Sequence, residues 1–243
     1  MSKAARLIGV GVGPGDPELM TLKAVRALRE ADVVAHFAKA GRAGNARAIA
    51  SAHMRPGAVE LPLRYPVTTE IPTGDPAYSR AIDAFFDASA NIIAAHLDEG
   101  RTVAVLSEGD PLFYGSYMHL HFRLSHRYPT EVIPGVTSLS GCWSAAGLPL
   151  ARGDDVLSVI PGTIDSEALS SRLAGPDAVA IIKVCRHIGK IRRAVEGSGR
   201  LAGAAYVERG TMEDARIMPL AEKTDDGAPY FAVVLVPARG RPS

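Results

Sequence analysis

Two carboxylates, Glu108 and Asp110, flank Gly109 in Ser107-Glu-Gly-Asp-Pro-Leu-Phe-Tyr-Gly115, where glycine and proline force a sharp backbone turn. So placed, they suit a ligand that is cationic or carries an amine. Asp110 can equally be a turn residue that hydrogen-bonds its own Gly-Pro loop, and both readings stand open. Thr137 and Ser138, in Ile133-Pro-Gly-Val-Thr-Ser138, can cap a helix or offer hydroxyls to a ligand, and the two roles are compatible. Other catalytic groupings are missing: there is no Ser-His-Asp arrangement, no His-Glu-x-x-His and no carboxylate pair set apart by pattern. His119 and His121 flank Leu120, so on a helix they diverge by about 200° and cannot share a metal; they are expected at the surface or in a cleft. An enzyme with this inventory works by aligning two reactants rather than by activating a nucleophile.

Three loops position these groups. Leu7–Val12 reads as a strand running into Gly13-Pro-Gly-Asp16. Thr102–Leu106 leads into the Glu108 loop, and Glu131–Ile133 into the Pro134 loop. Open α/β sheets bind ligands at such carboxyl ends of parallel strands. The first loop fits no nucleotide-phosphate motif. Asp16 follows where a P-loop needs Lys, and Pro14 stands where the dinucleotide fingerprint needs glycine. What remains is a rigid turn that lets a ligand approach bare backbone.

Around the loops, the alternation of apolar runs with helical patterns predicts βα units and a mostly parallel sheet. Thr21 caps a first helix, and Ala31–Ala35 reads as the second strand. Leu61 through Pro76 reads as a long ordered loop, followed by a helix over about Pro76 to Glu99 that Gly100 stops. Tyr117–Leu124 and Leu139–Ala146 read as short helices. Beyond Ser138, four strand candidates (Val156–Ile160, Ala178–Val184, Ala204–Val207, Tyr230–Val236) and helices near Glu167–Leu173 and Ile188–Val195 predict a second α/β domain with a mixed sheet. The expected division is 1–137 and 138–243, with Arg239–Ser243 a frayed tail.

At 243 residues the chain can bury a sizeable core, and a formal net charge of +1 argues against a broad nucleic-acid or anionic-membrane footprint. Cys142 and Cys185 are far apart and in no ligand spacing; they read as buried thiols of a reducing compartment, with no metal site implied. No apolar run approaches the ~20 residues of a membrane helix, and the N-terminus lacks a signal-peptide pattern. A cytoplasmic location is expected.

The three motifs together, Gly9-Val-Gly-Val-Gly-Pro-Gly-Asp-Pro-Glu-Leu-Met-Thr-Leu-Lys-Ala24, Glu108–Tyr114 and Ile133–Ser138, resemble the tetrapyrrole (corrin/porphyrin) methylase family from about Leu7 to Val236. Within it, Glu108–Arg123, Leu148–Leu157, Lys183–His187 and Val207–Met212 resemble the precorrin-2 C20-methyltransferase branch; Gly115 and Gly210 stand where that branch leads one to expect serine and alanine. The resemblance implies two α/β domains with S-adenosyl-L-methionine in the cleft between them. It implies cofactor contacts from Pro14, Glu108, Gly109, Asp110, Phe113, Thr137 and Ser138. The neighbourhoods of Val184, Glu208, Arg209, Gly210 and Tyr230–Phe231 would contribute from the second domain. The implied substrate is the tetrapyrrole precorrin-2, whose electron-rich meso carbon takes the methyl in line without a strongly activated protein base. Glu108, Tyr114 and His119 are proton acceptors by position only. Its acetate and propionate groups call for arginines, and Arg64, Arg123, Arg152, Arg186 and Arg209 lie in or beside the loops, with at least two expected at the pocket. A homodimer is implied as well. Alternatives are the cobalt-bearing counterpart, another ring carbon, a diphthine-synthase-like activity and a non-catalytic tetrapyrrole or cofactor binder.

Overall fold

The structure, a computed structural model, describes residues 5–39, 41–66, 75–175 and 177–239. It divides into two compact units, Met1–Thr137 and Ser138–Ser243. The first contains β1 (Leu7–Gly11), α1 (Leu22–Glu30), β2 (Val33–Lys39), α2 (Asn45–Ala50), β3 (Val59–Tyr65), α3 (Pro76–Asp98), β4 (Val103–Ser107), α4 (Tyr117–Leu124) and β5 (Thr130–Ile133). Its sheet has the order β3-β2-β4-β1-β5, and every described pairing in it is parallel. The central strands β1 and β4 are buried along their whole length, which is why they read as unbroken apolar runs.

Local chemistry sets the helix ends. Thr21 Oγ1 accepts from the Ala24 N–H at 3.1 Å, so α1 starts where a threonine can satisfy an orphan donor. Asp75 does the same for α3 by accepting from the Ala77 N–H at 2.8 Å, with Pro76 at the first helical position. Gly100, at φ 82°, ends that helix in the left-handed conformation.

Two expectations are corrected in this unit, and one element is new. Leu61–Tyr65 is not loop but part of β3; it lies at the sheet edge, the one place where Pro62 costs no ladder bond to a second neighbour. The remainder of that predicted loop, residues 67–74, lies outside the described residues. The second strand starts at Val33 rather than Ala31, because Ala31 closes α1 by donating its N–H to the Ala27 carbonyl, and it runs on through His36 to Lys39. Helix α2 had no expectation at all; it is six residues long and lacks a side-chain cap.

The second unit contains α5 (Ser138–Ala145), β6 (Leu157–Pro161), α6 (Ser166–Leu173), β7 (Ala178–Ile182), α7 (Ile188–Gly197), β8 (Ala205–Glu208), β9 (Arg216–Pro219) and β10 (Ala232–Val236). The sheet order is β6-β7-β10-β8-β9, parallel between β6 and β7 and antiparallel elsewhere, a mixed sheet as expected. One face packs Leu169, Leu173, Ile188, Ile191 and Val195 of α6 and α7; the other packs Leu139 and Cys142 of α5. Strand β9 was not foreseen: it is short, mostly exposed and pairs on one side only. Of the expected tail, residues 240–243 lie outside the described residues.

Candidate functional site

In the first unit the three loops meet backbone to backbone. Past the end of β1, the Val12 N–H donates to the Ser107 carbonyl at 3.0 Å. Gly13 and Gly109 form an antiparallel bridge, with the Gly109 N–H to Gly13 carbonyl bond at 2.8 Å. A Cβ on Gly11 would stand 2.5 Å from the Gly135 nitrogen, and one on Gly135 would stand 2.1 Å from the Gly109 carbonyl oxygen. No side chain fits at those distances, so each of these glycines is required by close approach. The result is a cradle of bare peptide at the carboxyl ends of β1, β4 and β5.

The carboxylates are the braces of this cradle. Asp110 accepts from the Leu112 N–H through Oδ1 at 2.9 Å and from the Gly135 N–H through Oδ2 at 3.2 Å, so it joins the second loop to the third. The turn reading of Asp110 is therefore the one observed, and its negative charge stays within the cradle. Glu108 accepts from the Ala46 backbone N–H and the Asn45 side chain at the start of α2. Burial holds its carboxyl above the ordinary glutamate range. Asp16 caps the short turn Pro17–Leu19 by accepting from the Glu18 N–H at 2.8 Å. Pro14 and Thr137 are half-buried beside these groups, and Ser138 opens α5. Phe113 is exposed and packs edge-on against Tyr114 with ring centroids 5.0 Å apart. Gly115 has its own reason: a Cβ there would lie 2.7 Å from both the Pro111 carbonyl and Ser107 Oγ, too close for serine.

Among the described residues, four that are not glycine have positive φ: Tyr114 (57°), Lys183 (55°), Cys185 (32°) and Arg209 (47°). All four lie in loops leaving the carboxyl ends of strands, after β4, β7 and β8, and these are the loops in which the sequence places ligand contacts. Strained backbone of this kind concentrates at working sites.

In the second unit, Val184 is fully buried between the two strained residues Lys183 and Cys185. The Arg209 N–H donates to the Phe231 carbonyl at 2.9 Å, and its guanidinium pairs with Asp214. Gly210 packs on Cys142, where a Cβ would fall 3.1 Å from Sγ and 2.9 Å from Val207 Cγ1, which leaves little room for alanine. Tyr230 is exposed and edge-on to Phe231. The Glu208 side chain does not face outward. It is buried, accepts from the Tyr206 hydroxyl at 2.6 Å, and lies 3.6 Å from Lys223 Nζ and 3.9 Å from Arg216. Its carboxylate is spent inside the unit, so only its backbone remains for a ligand.

The arginines separate into two groups. Arg123 donates to Asp87 at 2.7 Å and to the His119 carbonyl at 3.2 Å, pinning α4 to α3. Arg64 on β3, Arg152 and Arg186 are exposed; the Arg152 N–H donates to Asp155 at 2.9 Å. The histidines diverge as expected. His119 stacks on Phe86 at 4.1 Å, and burial lowers its pKa, while His121 Nδ1 lies 3.3 Å from the Tyr117 hydroxyl. Cys142 is buried and its thiol is pushed up to about 11; Cys185 is only half-buried, short of the expectation. No cluster suited to a metal ion occurs among the described residues, and no helix among them is long and apolar enough to cross a membrane.

Residues 6–224 match the model of the Tetrapyrrole (Corrin/Porphyrin) Methylases. The chain belongs to that family. The methylase is 65% identical to the precorrin-2 C(20)-methyltransferase of Sinorhizobium sp over 96% of its own length and 95% of the relative's. It is 26% identical to the cobalt-precorrin-2 C(20)-methyltransferase of Salmonella typhimurium over 95% of each. Among solved structures, the uroporphyrin-III C-methyltransferase of Thermus thermophilus complexed with S-adenosyl homocysteine superposes with a TM-score of 0.66 at 26% identity, covering 96% of this chain and 97% of that one. The methylase therefore has the two-unit α/β fold and the methyl-transfer activity of its family.

Proposed function

We propose that the methylase transfers one methyl group from S-adenosyl-L-methionine to C20 of precorrin-2, as a cytoplasmic homodimer. The observation that carries the reading is the glycine cradle of the first unit, in a chain so similar end to end to a protein bearing that activity. Bound there, the cofactor supplies an electrophilic methyl on a sulfonium. The cradle fits such a group because Gly11, Gly13, Gly109 and Gly135 leave its backbone without side chains, and Asp110 adds a fixed negative charge beside them. Pro14, Gly109, Phe113, Thr137 and Ser138 are the remaining contacts proposed from this unit. Val184, Gly210 and the backbone of Glu208 and Arg209 are those from the other. Arg64, Arg152 and Arg186 are proposed to hold the substrate's carboxylates as bidentate partners.

No activated base is needed for an enamine-like carbon, which accords with a first-unit carboxylate, Asp110, that is engaged in bracing loops. The metal-free substrate is favoured over its cobalt-bearing counterpart because identity to the relative named for the former is so much higher. The test is anaerobic incubation with methyl-labelled cofactor and, separately, precorrin-2, its cobalt form and uroporphyrinogen III, read by mass and carbon NMR. A single label at C20 of precorrin-2 is expected. Cofactor binding without transfer to any of the three overturns the reading.

A further inference from the structure

In the second unit, one stretch of chain touches both of the strained turns that leave β7 and β8. Strand β10 pairs antiparallel with β7 on one side and with β8 on the other, so its amino end stands between their carboxyl ends. The segment that feeds it, residues 223–231, therefore passes between the two turns. The Phe231 carbonyl accepts from the Arg209 N–H at 2.9 Å, and the Pro229 carbonyl accepts from Cys185 Sγ at 3.8 Å. Those two carbonyls thus hold the turns in which Cys185 stands at φ 32° and Arg209 at φ 47°. Conformations this costly persist only where the surroundings over-determine them.

The far end of the segment is moored at two places. Lys223 is buried against Tyr206 and Glu208, and Arg192 of α7 donates to its carbonyl. Three residues on, the Asp226 carboxylate lies against the first turn of α7. It is 3.5 Å from Arg192, and a Cβ on Gly189 would stand 2.4 Å from its Oδ1. This second mooring is costly and weak. Glycine inside a helix is less favourable than alanine, yet α7 carries it where the carboxylate needs the room. The Asp226 side chain is 69% exposed, and an ion pair so open to water contributes little to stability. A contact that costs helix propensity and returns little stability is explained by where it holds the chain.

We infer that Asp226 is a positioning residue for the cofactor: docked on α7, it sets the Pro229 and Phe231 carbonyls and, through them, the turns after β7 and β8. The inference rests on the cofactor contacts proposed at Val184 and Arg209 and adds a residue outside that set. Asp226→Ala, Gly189→Ala and the double variant test it. Each is assayed for the dissociation constant of S-adenosylhomocysteine, the melting temperature, and the KM of cofactor and tetrapyrrole separately. Gly189→Ala pushes the carboxylate off the helix by bulk, so it removes the same contact while Asp226, Lys223 and Arg192 remain in the chain. Asp226→Ala is expected to weaken S-adenosylhomocysteine binding on the order of fivefold, with the tetrapyrrole KM unchanged. Its melting temperature should stay within about 2 °C of wild type. Gly189→Ala should lose the same affinity while melting at or above wild type, and the double variant should lose no more than either alone. Unchanged affinity in either single variant, a loss that only tracks melting temperature, or additive losses in the double variant overturns the positioning role. A wild type that binds S-adenosylhomocysteine but methylates no tetrapyrrole removes the proposed substrate and leaves this inference standing. Failure of the wild type to bind S-adenosylhomocysteine removes both.

Discussion

The two units hold the loops at their strand ends by opposite means. In the first, loops are locked by glycines whose peptide groups touch, with single carboxylates accepting from backbone N–H groups across the gaps. In the second, the loop after β8 grows from a buried charged cluster in which Lys223 lies 4.9 Å from the Tyr206 ring and 3.6 Å from Glu208. Arg200, also buried, donates to the carbonyls of Gly175 at 3.2 Å and Pro237 at 2.7 Å. The first arrangement fails when anything is added; the second fails when one charge is taken away. That contrast separates steric from electrostatic fragility within one chain.

The largest effect is expected from Gly135→Ala. Its Cβ would fall 2.1 Å from the Gly109 carbonyl oxygen, and neither partner is a flexible side chain. Destabilisation of more than about 3 kcal/mol and loss of S-adenosylhomocysteine binding should follow, measured by denaturant unfolding and calorimetry. Retained binding at wild-type affinity would break the steric half of the comparison.

Next comes Lys223→Met, which takes from Glu208 its buried cation and leaves only the exposed Arg216 at 3.9 Å; it should cost about 3 kcal/mol. Adding Glu208→Gln should recover part of that loss, so a double-mutant cycle reports a coupling above about 1 kcal/mol. Additive effects would show that packing, not charge, holds this loop.

Glu108 sharpens the boundary between the two modes, since it is a carboxylate inside the glycine-built unit. Its folded-state pKa is raised by burial, so its stabilising contribution is complete below the unfolded pKa and is lost as pH rises through the folded value. Glu108→Gln cannot make that loss. The variant should therefore gain on wild type as pH climbs above the ordinary glutamate range, seen as a melting-temperature difference that grows from acid to neutral pH. A difference that stays flat would mean that the carboxyl titrates normally.

The smallest effect belongs to Arg123→Ala. A pair on α3 and α4 with exposed carboxylates should be worth no more than about 1 kcal/mol, and the tetrapyrrole KM should not move. A raised KM would return Arg123 to the substrate set.

Much of this was legible in the residues. Buried parallel strands such as Val103–Ser107 read plainly because both faces are apolar, and Thr21, Pro76 and Gly100 carry their own cap chemistry. What escaped was either too short to show a pattern or dependent on a neighbour distant in sequence. Strand β3 holds a proline that only its edge position allows, β9 is a short edge strand, and α2 is too short for a period to show. The same holds for side chains. Nothing in Val207-Glu-Arg-Gly210 tells that Glu208 turns inward to Tyr206 and Lys223, or that Glu108 turns to Asn45 and Ala46, segments far apart in the chain. Which loops converge was written locally; where each carboxylate points was not.

The edge proline has one more consequence. A parallel sheet ending in β3 would otherwise offer a row of unmet amides to any passing extended chain. Pro62 removes a donor from the middle of that row, while Glu60 and Arg64, exposed on either side of it, place opposite charges along the same border. A stray strand that docked there would lose one bond and meet two desolvated charges. The border thus guards the protein against edge-to-edge pairing.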